Sequence, residues 1–291
     1  MSTGEIRERL AAAGLNPDEV EALVRAALAE DLRGGADVTS VATMTDAAVT
    51  ADVVARADGI VAGTAVAELA FALTVSDVEL RRHVEDGDVV RRGDLLLTVI
   101  GPGRGLLTAE RTALNLVCHL SGIATQTGRW VAAVADSKAQ IRDTRKTTPL
   151  LRSLEKYAVR CGGGVNHRMG LSDAALVKDN HVAAAGGVGT AYRKVRDRFP
   201  DLPVQLEVTT PEEAVEAVEA GADELLLDNM TVAEMRRAVE LVAGRARLEA
   251  SGGLTLDRAA AVAATGVDYL AVGALTHSAP ALDIALDLRQ D

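Results

Sequence analysis

PVQLEVTTPEEAVEAVEAGADELLLDNMTVAEMRRAVELVAGRARLEASGG, residues 203–253, decides the fold. Three short apolar runs, Pro203–Val208, Asp223–Leu227 and Arg247–Glu249, are separated by stretches of helical period. Pro211-Glu212-Glu213 opens one helix and Thr231 caps the next. A fourth run, Asp268–Val272, follows, so that strand ends recur about every 21 residues, and two earlier runs, Gln140–Arg145 and Ala174–Lys178, extend the series upstream. Alternation of this kind predicts an α/β fold with a parallel sheet, as a (β/α) barrel or a doubly wound sheet.

Chemistry in such folds sits at the carboxyl ends of the strands. Those ends carry, in order, Arg145 and Lys146, Lys178, Glu207, Asp228, Ser251-Gly252-Gly253, and Gly273. Four successive charged ends followed by two glycine turns predict one shared site. Ser251-Gly252-Gly253 precedes a helical stretch, and Val272-Gly273-Ala274 leads into Leu275, Thr276 and His277. Backbone N–H groups at such glycine-opened helix starts bind phosphate. Glu207 and Asp228 could hold Mg²⁺ through water, or accept from sugar hydroxyls.

Upstream, Asn16-Pro17-Asp18-Glu19 reads as the start of a helix that runs to about Asp31. Glu30-Asp31 and Asp37-Val38-Thr39 flank Gly34-Gly35 in an acidic loop whose role the sequence leaves open. Thr50–Ala57 is expected to be a strand, Asp58-Gly59 a turn, and Ile60 the start of another strand. His83–Ile100 places two glycine turns between short strands, like half of a biotinyl or lipoyl carrier. Such carriers need a lysine at a hairpin tip, and the first lysine is Lys138, so the segment is read as a β-rich packing unit. A mostly helical pattern follows from Leu106 to about Ala135.

Composition narrows the function. The chain has 291 residues, a formal net charge of −11, and two Phe, one Trp and three Tyr. Base stacking on aromatic rings and a general polyanion surface are both disfavoured, so no nucleic acid is expected. No apolar run suggests a membrane span, and MSTGEIRERL is too charged for a signal peptide, so a cytoplasmic protein is expected. Cys118 and Cys161 fit neither a disulfide framework nor a zinc spacing, and the five histidines show no metal-ligand pairing.

Positive charge is concentrated between Arg142 and His181, where eight basic residues face four acidic ones. Such an island in an acidic protein predicts a small anionic ligand in a focused site. Arg152, Glu155, Lys156 and Arg160 have the spacing of a solvated helix face; Arg145, Lys146, Arg168 and Lys178 do not. The chain holds only five lysines, which marks Lys146 and Lys178 further. His167 sits between a triple glycine and Arg168, whereas Cys161 reads as a packed residue.

The stretch Asp143–His181, DTRKTTPLLRSLEKYAVRCGGGVNHRMGLSDAALVKDNH, closely resembles the quinolinate phosphoribosyltransferases. So do Glu110-Arg111-Thr112-Ala113-Leu114-Asn115, Leu206-Glu207-Val208, Leu227-Asp228-Asn229-Met230, Glu249–Gly253 and Val272–Ser278. The resemblance implies an N-terminal α/β, β-rich sandwich domain (1–115), an incomplete TIM-like α/β barrel with the active site (116–278), and a segment returning to the first domain (279–291). It implies phosphoribosyl transfer from phosphoribosyl pyrophosphate to quinolinate with decarboxylation, supported by Mg²⁺, in NAD biosynthesis. By motif, Arg145, His167, Arg168 and Lys178 would bind the quinolinate carboxylates. Arg111 would be donated across a homodimer interface, with further assembly into a hexamer left open. Lys146, Glu207 and Asp228 would serve phosphoribosyl pyrophosphate and its Mg²⁺; Ser251, Gly252, Gly253, Gly273 and His277 would cradle the 5′-phosphate. The catalytic set implied is Lys146, Lys178, Glu207 and Asp228. Two rivals remain at this point: a phosphoribosyltransferase for nicotinate, and an aldolase using Lys178 as a Schiff base.

Overall fold

The computed structural model describes residues 2–289. Their twelve strands are β1 (Ala48–Ala55), β2 (Gly59–Ile60), β3 (Glu79–Arg82), β4 (Val89–Val90), β5 (Leu95–Pro102), β6 (Gln140–Arg142), β7 (Ala175–Val177), β8 (Val204–Val208), β9 (Glu224–Asp228), β10 (Arg247–Ser251), β11 (Tyr269–Ala271) and β12 (Ile284–Leu288). The chain packs as two units. One comprises residues 2–126, 148–163 and 278–289, the other residues 127–147 and 164–277. This division differs from the expected boundary at 115/116. The helix Gly103–Ala133 continues past it, and the helix Arg152–Cys161 belongs to the first unit.

In the first unit β12, β1, β5 and β3 form an antiparallel sheet in that order, and β2 pairs with β4 in a two-stranded ribbon. The alternation of β1 puts Ala51, Val53 and Ala55 into the core. Thr64–Thr74 is apolar nearly all round and correspondingly buried, as an interior helix must be. Its one charge, Glu68, is fully buried and held by the Arg82 guanidinium at 3.0 and 2.7 Å. Asn16 caps the helix Pro17–Leu32 by accepting from the Asp18 N–H, with proline preset at the first turn.

One expectation fails here. The helix Arg152–Cys161 is not a solvated charged face, because Glu155 and Lys156 are both fully buried. Glu155 accepts from His119 Nε2 at 2.9 Å and from the Thr148 N–H at 3.0 Å. A three- and four-residue charge spacing marks a helix face but says nothing about what packs on it.

The second unit is a six-stranded parallel sheet in the order β6-β11-β10-β9-β8-β7. All six strands expected from the sequence are present. Six is short of the eight of a complete barrel, and β6 and β7 are the two edges, with Val165 bridging to Arg142 beside β6. Thr210 and Thr231 cap the helices after β8 and β9, Thr231 in a reciprocal box with Glu234. No helix among the described residues is long and apolar enough to cross a membrane.

Candidate functional site

Side chains alternate along a strand, so residues two apart share a face. The registers Glu207↔Leu226, Glu249↔Tyr269 and Ser251↔Asp228 align these faces across the second unit's sheet. On one face Gln205, Glu224 and Glu249 each precede, along β8, β9 and β10, the carboxyl-edge residues Glu207, Asp228 and Ser251. Arg142 of β6 joins the first three by hydrogen bonding to form a lower layer, and Lys178 and Gly273 stand with the upper three just past their strands.

The lower layer is a buried polar floor. Arg142 Nη1 donates to Glu224 at 2.7 Å and to Glu249 at 2.6 Å, and its guanidinium lies over the Tyr269 ring at 3.9 Å. Burial works against the Arg142 charge, but the two carboxylates outweigh it and hold the guanidinium more firmly protonated than usual. Gln205 donates to Glu249 at 2.9 Å and His167 Nε2 lies 2.9 Å from Gln205 Oε1. Sequence reasoning missed Gln205 and Glu224 and gave no role to Arg142 or Glu249. The available signal was the strand period of two, which puts Gln205 and Glu249 one step below Glu207 and Ser251, and Glu224 two steps below Asp228.

On the upper rim Lys178 Nζ is 2.8 Å from Glu207 Oε2. Lys178 also begins the short helix Asp179–Ala185, its N–H donating to His181 Nδ1 at 3.0 Å. Asp228 accepts from Asn229 Nδ2 at 2.7 Å, and Asn229, at φ +55°, donates its N–H to the Ser251 carbonyl. Gly252, at φ +90°, lies against it: a Cβ there would stand 2.2 Å from Asn229 Oδ1. The turn Ser251-Gly252-Gly253 leads first into the 3₁₀ turn Leu256–Arg258, not directly into a helix. Its amides are therefore offered by the loop itself. Around Gly273 a Cβ would lie 3.0 Å from Lys146 Cδ and 3.4 Å from His277 Nε2, so these two expected phosphate residues adjoin one glycine. Thr276 Oγ1 donates to the Lys146 carbonyl at 2.7 Å and fixes that loop.

Arg145 and Arg168 are close enough to repel. Burial, reinforced by the Arg145 charge, lowers the Arg168 guanidinium's hold on its proton, with Asp173 opposing. Asp143, fully buried, anchors the adjoining loop by accepting from the His167 N–H at 2.8 Å and Asn166 Nδ2 at 2.5 Å. Arg111 lies in the first unit with its side chain about two-thirds exposed. It lines a cavity of about 830 Å³ with Glu30, Asp31, Arg33 and Asn115. Asp37 instead caps the helix Val38–Thr43 by accepting from the Ser40 N–H at 3.0 Å.

No cluster of three His, Cys, Asp or Glu side chains that could hold a metal occurs among the described residues. Glu207 and Asp228 on neighbouring strands supply only hard oxygen donors. That set suits Mg²⁺, which binds through one or two carboxylates while phosphates and water fill its remaining positions.

Two family models match the chain: the quinolinate phosphoribosyl transferase N-terminal domain over residues 37–121 and the C-terminal domain over residues 123–287. The chain belongs to the quinolinate phosphoribosyltransferase family. The chain is 52% identical to the nicotinate-nucleotide pyrophosphorylase [carboxylating] of Mycobacterium leprae, over 93% of its own length and 98% of the relative's. It is 41% identical to the probable enzyme of that name from Bacillus subtilis, covering 94% and 95% of the two chains. The solved nicotinate-nucleotide pyrophosphorylase of Francisella tularensis has the same fold, with a TM-score of 0.91 at 38% identity, covering 94% and 96% of the chains.

Proposed function

We propose that the protein transfers the phosphoribosyl group of phosphoribosyl pyrophosphate to quinolinate, with release of pyrophosphate and CO₂, to give nicotinate mononucleotide for NAD biosynthesis. The observation that carries this reading is the convergence of Lys178, Glu207, Asp228, Ser251 and Gly273 on one edge of one sheet face in a chain of this family. A substrate with two ring carboxylates needs several cations, and Arg145, Arg168 and Lys178 supply forked and point charges. Arg111 of a second copy would complete this set across a homodimer. Amides of Ser251–Gly253 and Gly273, with Lys146 and His277, would hold the 5′-phosphate and the pyrophosphate. Mg²⁺ bound near Glu207 and Asp228 would neutralise charge on the pyrophosphate.

The pyridine nitrogen attacks the anomeric carbon as pyrophosphate leaves, so no protein nucleophile is needed. Positive charge builds on the ribose, and the carboxylates of Glu207 and Asp228 favour that state. The ribosylated ring nitrogen is cationic and accepts the electron pair left when the adjacent carboxylate departs as CO₂. A proton from water then fills the vacated carbon. Lys178 Nζ is taken up by the Glu207 carboxylate at 2.8 Å, whereas a Schiff base needs a lysine directed at a carbonyl substrate. The deciding experiment supplies phosphoribosyl pyrophosphate and Mg²⁺ with quinolinate or nicotinate separately. Nicotinate mononucleotide with equimolar CO₂ from quinolinate alone is expected; product from nicotinate alone would overturn the dicarboxylate reading.

A further inference from the structure

Both nitrogens of the His167 ring are engaged within the protein. The Arg168 N–H donates to Nδ1 at 2.7 Å, and Nε2 lies 2.9 Å from Gln205 Oε1. A nitrogen that accepts an N–H bond carries no proton, so the ring hydrogen sits on Nε2 and is donated to Gln205. The Gln205 amide is oriented from its other side. Its Nε2 faces Glu249 Oε2 at 2.9 Å and Glu224 Oε1 at 3.4 Å, and carboxylates only accept. Glu249 is fully buried and fixed by Arg142. Its second oxygen has no hydrogen-bond partner and lies 3.7 Å from His167 Nε2.

Direction thus runs one way, from Arg142 through Glu249 and Gln205 to the tautomer of His167. The ring then grips the Arg168 main chain, while Asp143 accepts from the His167 N–H and from Asn166 Nδ2. The Arg168 guanidinium is tied by Nη1 to the Ala174 carbonyl at 2.8 Å. His167, Gln205 and Arg142 also line a cavity of about 290 Å³ with Arg168, Arg196 and Arg247.

We propose that Gln205 and Glu249 are positioning residues that lock His167 as the neutral Nε2–H tautomer, so that His167 aims Arg168 at the dicarboxylate instead of pairing with it as a cation. The inference rests on the quinolinate reading above and deepens it: the cations that meet the substrate are then arginines and Lys178.

Long-range ¹H–¹⁵N correlation of the full-length labelled protein tests it, with the His167 ring assigned by its loss in His167→Asn. One protonated-type nitrogen at Nε2 and one unprotonated-type nitrogen at Nδ1 are expected. A charged imidazolium pattern, or the proton on Nδ1, in the wild-type protein would overturn the proposal. Gln205→Met and Glu249→Gln should each average the two nitrogen shifts. They should also raise the KM for quinolinate about tenfold while leaving that for phosphoribosyl pyrophosphate unchanged. Unchanged ring shifts in both variants, or equal rises in both KM values, would likewise overturn it. The wild-type spectrum is recorded without substrate, so an enzyme inactive on quinolinate would sink the functional reading and not the tautomer.

Discussion

Lys178 Nζ and Glu207 Oε2, at the carboxyl ends of adjacent parallel strands, stand 2.8 Å apart. The lysine side chain is 50% exposed and the glutamate 9%, so the cation faces solvent and the anion is sheltered. Half-exposed pairs contribute little to stability, on the order of 0–1 kcal/mol. Lys178→Ala should therefore lower kcat/KM at least about a hundredfold, the scale of one lost transition-state contact, while the melting temperature moves by no more than about 4 °C. Steady-state kinetics beside calorimetry separate the two, and an unaltered kcat/KM would remove Lys178 from the site.

Gly252 and Gly253 give a paired test of the phosphate turn. At Gly252 a new Cβ meets Asn229 Oδ1 at 2.2 Å and its backbone nitrogen at 2.9 Å, on a backbone at φ +90°. At Gly253, φ +58°, nothing lies within 4 Å. Gly252→Ala should cost roughly 1–3 kcal/mol and weaken phosphoribosyl pyrophosphate binding, with Gly253→Ala the milder of the two. Titration calorimetry with that substrate would show the ranking; equal effects would mean that the contact with Asn229 does not matter.

The floor beneath the site predicts a different cost. Arg142→Met leaves Glu249 buried without its cation, and breaking such a pair costs about 3–5 kcal/mol. Adding Glu249→Gln should recover part of the loss. Urea midpoints of the wild type, both single variants and the double variant test this, and strictly additive losses would argue against the coupling.

The six strands and their charged ends were legible because period and punctuation are local. Pro211, Thr231 and the glycine turns each act within a few residues. The buried floor was not legible as a unit, since Arg142, Gln205, Glu224 and Glu249 meet only through strand register, across separations of 19 to 107 residues. The helix at 152–161 misled for the same reason: nothing in RSLEKYAVRC tells that Glu155 and Lys156 are covered. The carboxylate of Glu155 is met by His119, a partner 36 residues earlier.

Burial raises the Cys161 thiol to about 11, against an ordinary 9.0, and raises Cys118 too. Both cysteines are free thiols. The folded chain keeps the Cys161 proton where the unfolded chain has already lost it, so this group's contribution to stability falls as pH rises from about 9 to about 11. Cys161 should react slowly with a disulfide reagent at pH 8 and rapidly once urea unfolds the protein. Fast labelling of the native Cys161, identified in a Cys118→Ala background, would contradict its burial.

Donation of Arg111 to a second copy can be read by complementation. Arg111→Ala and Lys178→Ala should each be nearly inactive alone. Mixed dimers should regain part of the activity, because one of their two sites receives an intact Arg111 and an intact Lys178. No recovery after verified subunit exchange would leave Arg111 without a role across the interface.

The strand β12 lies against β1, pairing Ile284 with Ala55 and Leu288 with Ala51. Between them lie β6 through β11, the whole parallel sheet. At a synthesis rate of about 5–20 residues per second, the backbone edge of β1 waits roughly 10–50 seconds for its partner. During that interval the nascent chain presents an open template for strand addition by neighbouring polypeptides. The first unit to begin folding is thus the last to finish, and a ribosome stalled within the parallel sheet would leave an adhesive intermediate.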